Sequence, residues 1–241
     1  MKIAFISDIH GNATALEAVL EDIEKKNVDK IAVLGDLCFR GSEPKRALDL
    51  IRSLNTDVVK GNADEWVSRG IKEGEVPNEA LEIMRKEREW TLKQLTTEDI
   101  DFLTNLPTQL TIKLSDDIEI HAFHATPNNL FNMVLPNQSD TELAEQLMQQ
   151  TSADIFLYGH IHLPYVRFIN GKCVANLGSV GLPFDGSKNA SYLIVEGEDK
   201  HFQVSVHRVS YDVDYVIKQL KEKEYPNYEF LRNVLVKASL S

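Results

Sequence analysis

The sequence predicts an α/β fold, and three observations point to it. Short apolar runs of about four residues recur along the chain, amphipathic stretches of helical spacing separate them in the first half, and tight turns pair them in the second. Ile3 to Ile6 reads as a buried strand. Thr14 is placed to cap a helix in which Leu16, Val19, Leu20 and Ile23 recur at helical spacing, closed by Lys25-Lys26-Asn27. Lys30 to Leu34 is the second strand. Pro44 suits the first turn of the next helix, with Ser42 upstream as its cap and Ala47, Leu48, Ile51 and Leu54 as its buried stripe. Asp57 to Lys60 is the third strand.

Residues 66–107 break the alternation and read as a helical insertion, with helices over Asn78 to Leu95 and Thr97 to Asn105. Thr96 or Thr97 caps the second of these, and Pro107 stands just past its end. The charged face of Glu82, Arg85, Lys86, Arg88 and Glu89 is either solvated surface or a lid over a site. Gln109 to Leu114 and Ile118 to Phe123 form a hairpin about Ser115-Asp116-Asp117. Tyr165 to Ile169 and Lys172 to Asn176 form another about Asn170-Gly171, a dipeptide that tolerates positive φ. Tyr192 to Glu196 and Phe202 to Val209 extend this antiparallel half, and Asp212 to Lys221 and Tyr228 to Val236 read as helices. No repeat and no Pro-, Gly- or Ser-rich linker divides the chain, so 1–241 is expected to be a single domain.

Composition narrows the function classes. The chain is 43% hydrophobic and 26% charged, with 26 Lys and Arg against 37 Asp and Glu, a net charge of −11. Such acidity argues against general nucleic-acid binding, and an anionic substrate would need a local source of positive charge. The apolar runs fall far short of the roughly 20 residues of a membrane span. MKIAFISD is too short and too acidic for a secretory signal. With only Cys38 and Cys173, no disulfide framework is indicated, and a cytoplasmic protein that engages no membrane is expected.

Five apolar runs are followed at once by a side chain able to bind a metal. Ile3 to Ser7 leads to Asp8-Ile9-His10-Gly11-Asn12, Ile31 to Gly35 to Asp36, and Val58 to Gly61 to Asn62; Ile120 to Phe123 leads to His124, and Ile155 to Gly159 to His160-Ile161-His162. Ligands of α/β sheets gather at the carboxyl ends of strands, so these side chains are expected to converge. Asp8 with His10, and His160 with His162, are two apart, a spacing that in extended backbone sends both side chains the same way. Each residue alone has an ordinary explanation as a cap or a solvated loop position, but turn chemistry does not call for four histidines at strand ends. Seven oxygen and nitrogen donors with no required cysteine suit two divalent ions, manganese first, with iron or zinc as alternatives. Calcium prefers all-oxygen shells. His121 reads as structural, His201 in a turn and His207 on the polar side of its strand read as not catalytic, and Cys38 reads as a buried thiol.

Taken in order, DIHGN, GDLCFRG, GNAD, HAFHATP and GHIH resemble the motifs of the calcineurin-like metallophosphoesterases, in their small bacterial and archaeal phosphodiesterase-like branch, from Met1 to about Gly186. The resemblance implies a four-layer αββα sandwich of two mixed β-sheets flanked by helices, with a dinuclear site at the sheet ends. It implies that Asp8, His10 and His162 hold one ion, that Asn62, His124 and His160 hold the other, and that Asp36 bridges both. Asp8, His10, Asp36, Asn62 and His124 would then be catalytic, in hydrolysis of phosphodiester or nucleotide phosphoanhydride bonds by a metal-bound hydroxide. A helix starting near Thr14 would aim its N-terminal amides at a bound phosphate, with Asn12 as an added donor.

Two positions depart from that pattern together. The family's proton-donating His of GNHD or GNHE is Ala63 here, and the Asp that orients it in some phosphoprotein phosphatases is Phe39. Neither transfers a proton, so substrates with stable leaving groups, small and nucleotide-like, rank above phosphoproteins. Arg40 keeps the place at which related phosphatases clamp phosphate oxygens; the bland reading is a surface arginine opposite Glu43. NLGSVG, Asn176 to Gly181, resembles the NPGSVG of bacterial members and nominates Gly178 and Ser179 for substrate binding. The alternatives are a serine/threonine protein phosphatase, or a metal-binding scaffold of little activity, which would show gaps among the seven donors. The oligomeric state is left open, a homo-oligomer included.

Overall fold

Alternation within strands decides the layering. In β1 (Lys2–Ile6), Ile3 and Phe5 point to one side and Ala4 and Ile6 to the other, as a period of two requires. Both faces are apolar, so both must be covered. The chain continues through α1 (Ala13–Glu24), β2 (Lys30–Val33), α2 (Pro44–Ser53), β3 (Asp57–Val58), α3 (Asn62–Arg69), α4 (Asn78–Leu92) and α5 (Thr97–Asn105). Next come β4 (Gln109–Lys113), β5 (Glu119–Phe123), α6 (Asp140–Leu147), β6 (Ile155–Tyr158), β7 (Tyr165–Ile169) and β8 (Lys172–Asn176). It ends in β9 (Ala190–Glu198), β10 (His201–Val209), α7 (Val213–Glu222) and α8 (Tyr228–Lys237). This structure, a computed structural model, describes residues 1–149 and 151–240.

The strands form two five-stranded mixed sheets, in the orders β10-β9-β1-β2-β3 and β4-β5-β6-β8-β7. In the first, β1, β2 and β3 run parallel, while β9 lies antiparallel to β1 and β10 to β9. In the second, β5, β6 and β8 run parallel, with β4 and β7 antiparallel at the edges. Ile3, Phe5 and Leu34 of one sheet meet Ile120, Leu157 and Ala175 of the other in a dry layer between them. Helices α1 to α5 cover the outer face of the first sheet, and α6 covers that of the second. The result is an αββα sandwich. The hairpin of α7 and α8 packs through Val216, Leu220, Leu231 and Leu235 against Leu182. Among the described residues no helix is long and apolar enough to cross a membrane.

Several boundaries differ from the sequence expectation for identifiable reasons. Asn12, not Thr14, caps α1: its Oδ1 accepts the Ala15 N–H at 3.0 Å. Glu43 is the N-cap of α2, and Ser42 instead donates its hydroxyl to Gln219 Oε1. The third strand ends at Val58 because the Lys60 N–H turns to the Pro107 carbonyl at 2.7 Å. Helix α4 stops at Leu92, and the N–H groups of Gln94 and Leu95 close short turns on Thr91 and Leu92. Two helices, α3 and α6, have no counterpart among the expected elements. Both carried a start signal, Asp64 two places past Asn62 and a Ser139-x-x-Glu142 capping box, in which each carboxylate accepts a backbone N–H.

Candidate metal centre

The parallel strands β1, β2, β5 and β6 end side by side, and the loops leaving them bring the expected donors together. Two groups form whose ligand atoms lie within 4.8 Å of one another: Asp8, His10 and His162, and Asp36, His124 and His160. Asn62, in the first turn of α3, sets its Oδ1 2.9 Å from His124 Nε2. Asp36 reaches both groups, with Oδ2 3.6 Å from His10 Nε2 and Oδ1 3.4 Å from His124 Nε2.

The pairs two residues apart do not converge through extended backbone. Asp8, His10, Asp36, His160 and His162 all have φ between 49° and 68°, the left-handed region that costs most side chains of order 1 kcal/mol. Each strand breaks directly into a tight turn, and the turn, not the period of the strand, gathers the pair. Close approach of these turns explains a glycine: a Cβ at Gly41 would lie 1.8 Å from the His10 carbonyl oxygen. The loop bearing Arg40 is thereby held against the loop bearing His10.

Hydrogen bonding sets the ring orientations. His10 Nδ1 donates to the Phe39 carbonyl at 2.9 Å and His124 Nδ1 to the Leu34 carbonyl at 2.7 Å, while His162 Nδ1 donates to the Leu182 carbonyl. A carbonyl only accepts, so Nδ1 carries the proton and Nε2 is turned inward, the arrangement of a metal-ligating histidine. His10 Nε2 and His162 Nε2 then face each other at 3.2 Å, a spacing that needs a proton or a cation between them. His160 Nε2 is buried with no hydrogen-bond partner. The donor set, the inward Nε2 atoms and this orphaned nitrogen all fit a pair of divalent ions.

Electrostatics separates the two groups. Burial pushes the His10 imidazole down to about 4 despite the Asp36 carboxylate, and burial with the nearby His124 takes His160 to about 4 as well. Both are neutral and ready to ligate. For His124 burial acts in the same direction but Asp36 outweighs it, raising the ring to about 9. A proton on its Nε2 thus holds the place a cation would take. Burial would raise the carboxyls of Asp8 and Asp36, but the imidazoles facing them, His162 for Asp8 and His124 for Asp36, keep both below the ordinary range.

The remaining expected residues lie around this core. Asn12 Nδ2 donates to the Gly181 carbonyl at 3.0 Å, so both ends of its side chain are engaged. Ser179 is fully buried beneath Asp8, donating to its carbonyl at 2.7 Å, and Gly178 packs on Ser191. Arg40 pairs with Glu87 of α4 at 3.5 Å, not with Glu43. Ala63 and Phe39 are buried, and Phe39 packs edge-on against Trp66. His121 bonds Gln109 on the far face of β5, and His207 stacks on Tyr192. One residue escaped the sequence reading as a support of the site. Asp64 accepts the backbone N–H groups of Asp36, Leu37 and Gly61 at 2.8, 2.9 and 2.9 Å, lacing two ligand loops together. Burial and the neighbouring Asp36 raise its carboxyl to about 7. Its sole local signal was the Asp of GNAD.

Comparison with known proteins agrees with this geometry. Residues 1–200 match the model of the calcineurin-like phosphoesterase superfamily domain, so α7 and α8 lie beyond the matched span. An uncharacterized protein of Methanocaldococcus jannaschii is 31% identical over 94% of each chain, and phosphodiesterase YfcE of Escherichia coli is 26% identical over 82% of this chain and 89% of its own. The crystal structure of a metallophosphoesterase from Sphaerobacter thermophilus superposes with a TM-score of 0.79 at 29% identity, covering 99% of both chains.

Proposed function

Because the chain belongs to the calcineurin-like phosphoesterase superfamily, we propose that it hydrolyses phosphodiester and nucleotide phosphoanhydride bonds with two divalent ions held at its strand ends. The observation that carries this reading is the buried double cluster, with Asp36 in reach of both groups. Asp8, His10 and His162 would hold one ion and Asn62, His124 and His160 the other, with Asp36 shared. Divalent ions, were they bound there, would supply Lewis-acid chemistry: a lowered pKa for a water and neutralisation of phosphoryl charge. The carbonyls of Phe39, Leu34 and Leu182 keep three imidazoles aimed inward, and Ser179 steadies the loop of Asp8.

Arg40 offers its planar fork to the non-bridging phosphoryl oxygens, and Asn12 keeps the first turn of α1 turned toward the same crevice. Phe39 and Ala63 hold no transferable proton, so the leaving group departs as an anion stable in its own right. Nucleotide phosphates and phenolates meet that condition; the alkoxide of a phosphoserine does not. The donor set favours manganese among the candidate ions. The free buried thiols of Cys38 and Cys173 suit a reducing cytoplasm.

The test is turnover of bis(4-nitrophenyl) phosphate, dinucleoside polyphosphates, mononucleotides and phosphopeptides by protein loaded with manganese, iron or zinc. Two ions per chain by elemental analysis, diester or anhydride cleavage, and loss of roughly 10³-fold in kcat for Asp36→Asn are expected. Full activity of Asp36→Asn, or of protein stripped of metal, would overturn the reading.

A further inference from the structure

Glu87 is an anomaly on its helix. Its neighbours Lys86 and Glu89 belong to the charged face of α4, yet the Glu87 side chain is fully buried. A buried carboxylate carries a large desolvation cost, and an ion pair there is no more stabilising than well-packed apolar side chains. Such a group needs a reason beyond stability. Its Oε1 accepts the Tyr225 hydroxyl at 3.2 Å, while Oε2, with no hydrogen-bond donor, lies 3.5 Å from Arg40 Nε. Tyr225 comes from the turn between α7 and α8, and Phe230 of α8 lies under the Arg40 guanidinium, 5.0 Å from its carbon.

Arg40 is therefore fixed at both ends. Its backbone, at φ 69°, is pinned to the His10 loop through Gly41. Its guanidinium is held in an ion pair with a carboxylate from α4, without a hydrogen bond between them, and over a ring from α8, with 21% of the side chain still exposed. Arg40 and His10 line one small cavity, closed on its other side by Leu220 and Leu231 of the hairpin. The Nε edge faces Glu87, so the planar fork has a set direction instead of the rotamer freedom of a surface arginine.

We propose that Glu87, backed by the Tyr225 hydroxyl, is a positioning residue that fixes Arg40 to receive the non-bridging phosphoryl oxygens of the substrate, which couples substrate binding to the docking of α4 and the C-terminal hairpin. This rests on the phosphoesterase reading above and on Arg40 touching substrate. Glu87 itself touches neither substrate nor metal ligands, so its removal raises KM, not the intrinsic barrier.

The experiment is a double-mutant cycle on manganese-loaded full-length protein, with bis(4-nitrophenyl) phosphate as substrate and calorimetric titration with inorganic phosphate as a second readout. Arg40→Gln is expected to raise KM about tenfold, and Glu87→Gln about three- to tenfold with kcat within about twofold. In the Arg40→Gln background Glu87→Gln should add less than about twofold, because the group it positions is gone. Phosphate affinity should follow the same pattern, and two ions per chain should remain in every variant. Tyr225→Phe removes one hydroxyl and repeats the cycle if Glu87→Gln does not fold; about a twofold rise in KM, absent without Arg40, is expected. Equal effects of Glu87→Gln in both backgrounds, a fall in kcat at constant KM, or an unchanged KM in Arg40→Gln would overturn the inference. The phosphoesterase reading would survive any of these as long as Asp36→Asn abolishes turnover.

Discussion

At the ends of β1, β2 and β6 the backbone turns through left-handed residues and, with His124 at the end of β5, crowds two carboxylates and four imidazoles into one buried cluster. The α7–α8 hairpin, which closes over the His10 side, is built from Val216, Leu220, Leu231, Val234 and Leu235 around Leu182 and brings the Phe230 ring to Arg40 and the Tyr225 hydroxyl to Glu87. The first region spends backbone strain and desolvated charge to hold donors whose lone pairs oppose one another. The second is stable by ordinary apolar packing. Their difference separates two tasks: strand-end loops set the chemistry and its metal ions, while the helical cover sets how a substrate is held. Damage to the loops should therefore remove metal, and damage to the cover should leave metal in place and alter binding.

The most severe test falls on the loops. Asp64→Ala leaves three buried N–H groups, those of Asp36, Leu37 and Gly61, without an acceptor. At about 1–3 kcal/mol for each unsatisfied group, stability should fall by about 3 kcal/mol or more, and metal affinity by roughly 10- to 100-fold. Denaturant unfolding and metal titration read the two effects. A variant as stable as the parent with both ions bound would show that the loops hold themselves.

A comparable injury to the cover should behave differently. Leu231→Ala opens a cavity in the hairpin cluster, where the side chain is 1% exposed, and should cost about 2–4 kcal/mol of unfolding free energy. Two ions per chain should remain, with KM raised through Arg40. Loss of metal from this variant would collapse the distinction between the regions.

Within the loops, proton release sharpens the comparison by smaller steps. His124 is raised from its ordinary 6.5 to about 9, so at pH 7 it is protonated and must lose that proton before Nε2 can ligate. Loading of the group containing Asp36 should release about one proton, and affinity there should climb up to tenfold per pH unit until about pH 9. His10, lowered to about 4, is already neutral at pH 7 and should contribute none. Calorimetry in buffers of different ionisation enthalpy measures the release. Equal release at both groups would contradict the asymmetry.

The division also explains which parts of the molecule were legible in the sequence. Apolar runs ending in Asp8, Asp36, His124 and His160 announced both the sheet and the convergence, because strand ends and ligand positions are local in sequence. The turns were not legible in the same way. Asp8, His10, His160 and His162 are ordinary residues in left-handed backbone, and nothing in their spacing distinguishes that from a continuing strand. Helices α3 and α6 carried capping signals, at Asp64 and at Ser139 with Glu142, but each is only eight residues long with a short apolar stripe. The contact of Arg40 with Glu87 joins residues far apart in sequence, and Glu87 sits among Arg85, Lys86, Arg88 and Glu89, a context that reads as solvated surface. Helical spacing places Glu87 with the buried Met84 and Thr91 on the inward face of α4, and a carboxylate on that face is what the sequence context hides.

The smallest expected effect concerns the leaving group, and it tests whether the loops alone set the chemistry. Ala63 is 1% exposed, and its N–H donates to Asp36 Oδ1 at 2.8 Å, so the position borders the shared carboxylate. Phe39, where an orienting acid would stand, is fully buried with its ring 6.3 Å from that of Trp66. With no proton donor at either place, the rate should fall as leaving-group basicity rises, each 1.36 kcal/mol of lost stabilisation costing about tenfold. Plots of log kcat/KM against leaving-group pKa for aryl and alkyl diesters measure that dependence. Ala63→His should flatten the plot by raising kcat/KM for alkyl leaving groups less than about tenfold, with 4-nitrophenolate unchanged. The gain is limited because Phe39 cannot orient the new imidazole and a carboxylate in its place would be buried against Trp66. A wild-type rate independent of leaving-group pKa, with chemistry shown to be rate-limiting, would mean that a proton reaches the leaving group from elsewhere, and Ala63 and Phe39 would then lose their claim on substrate choice.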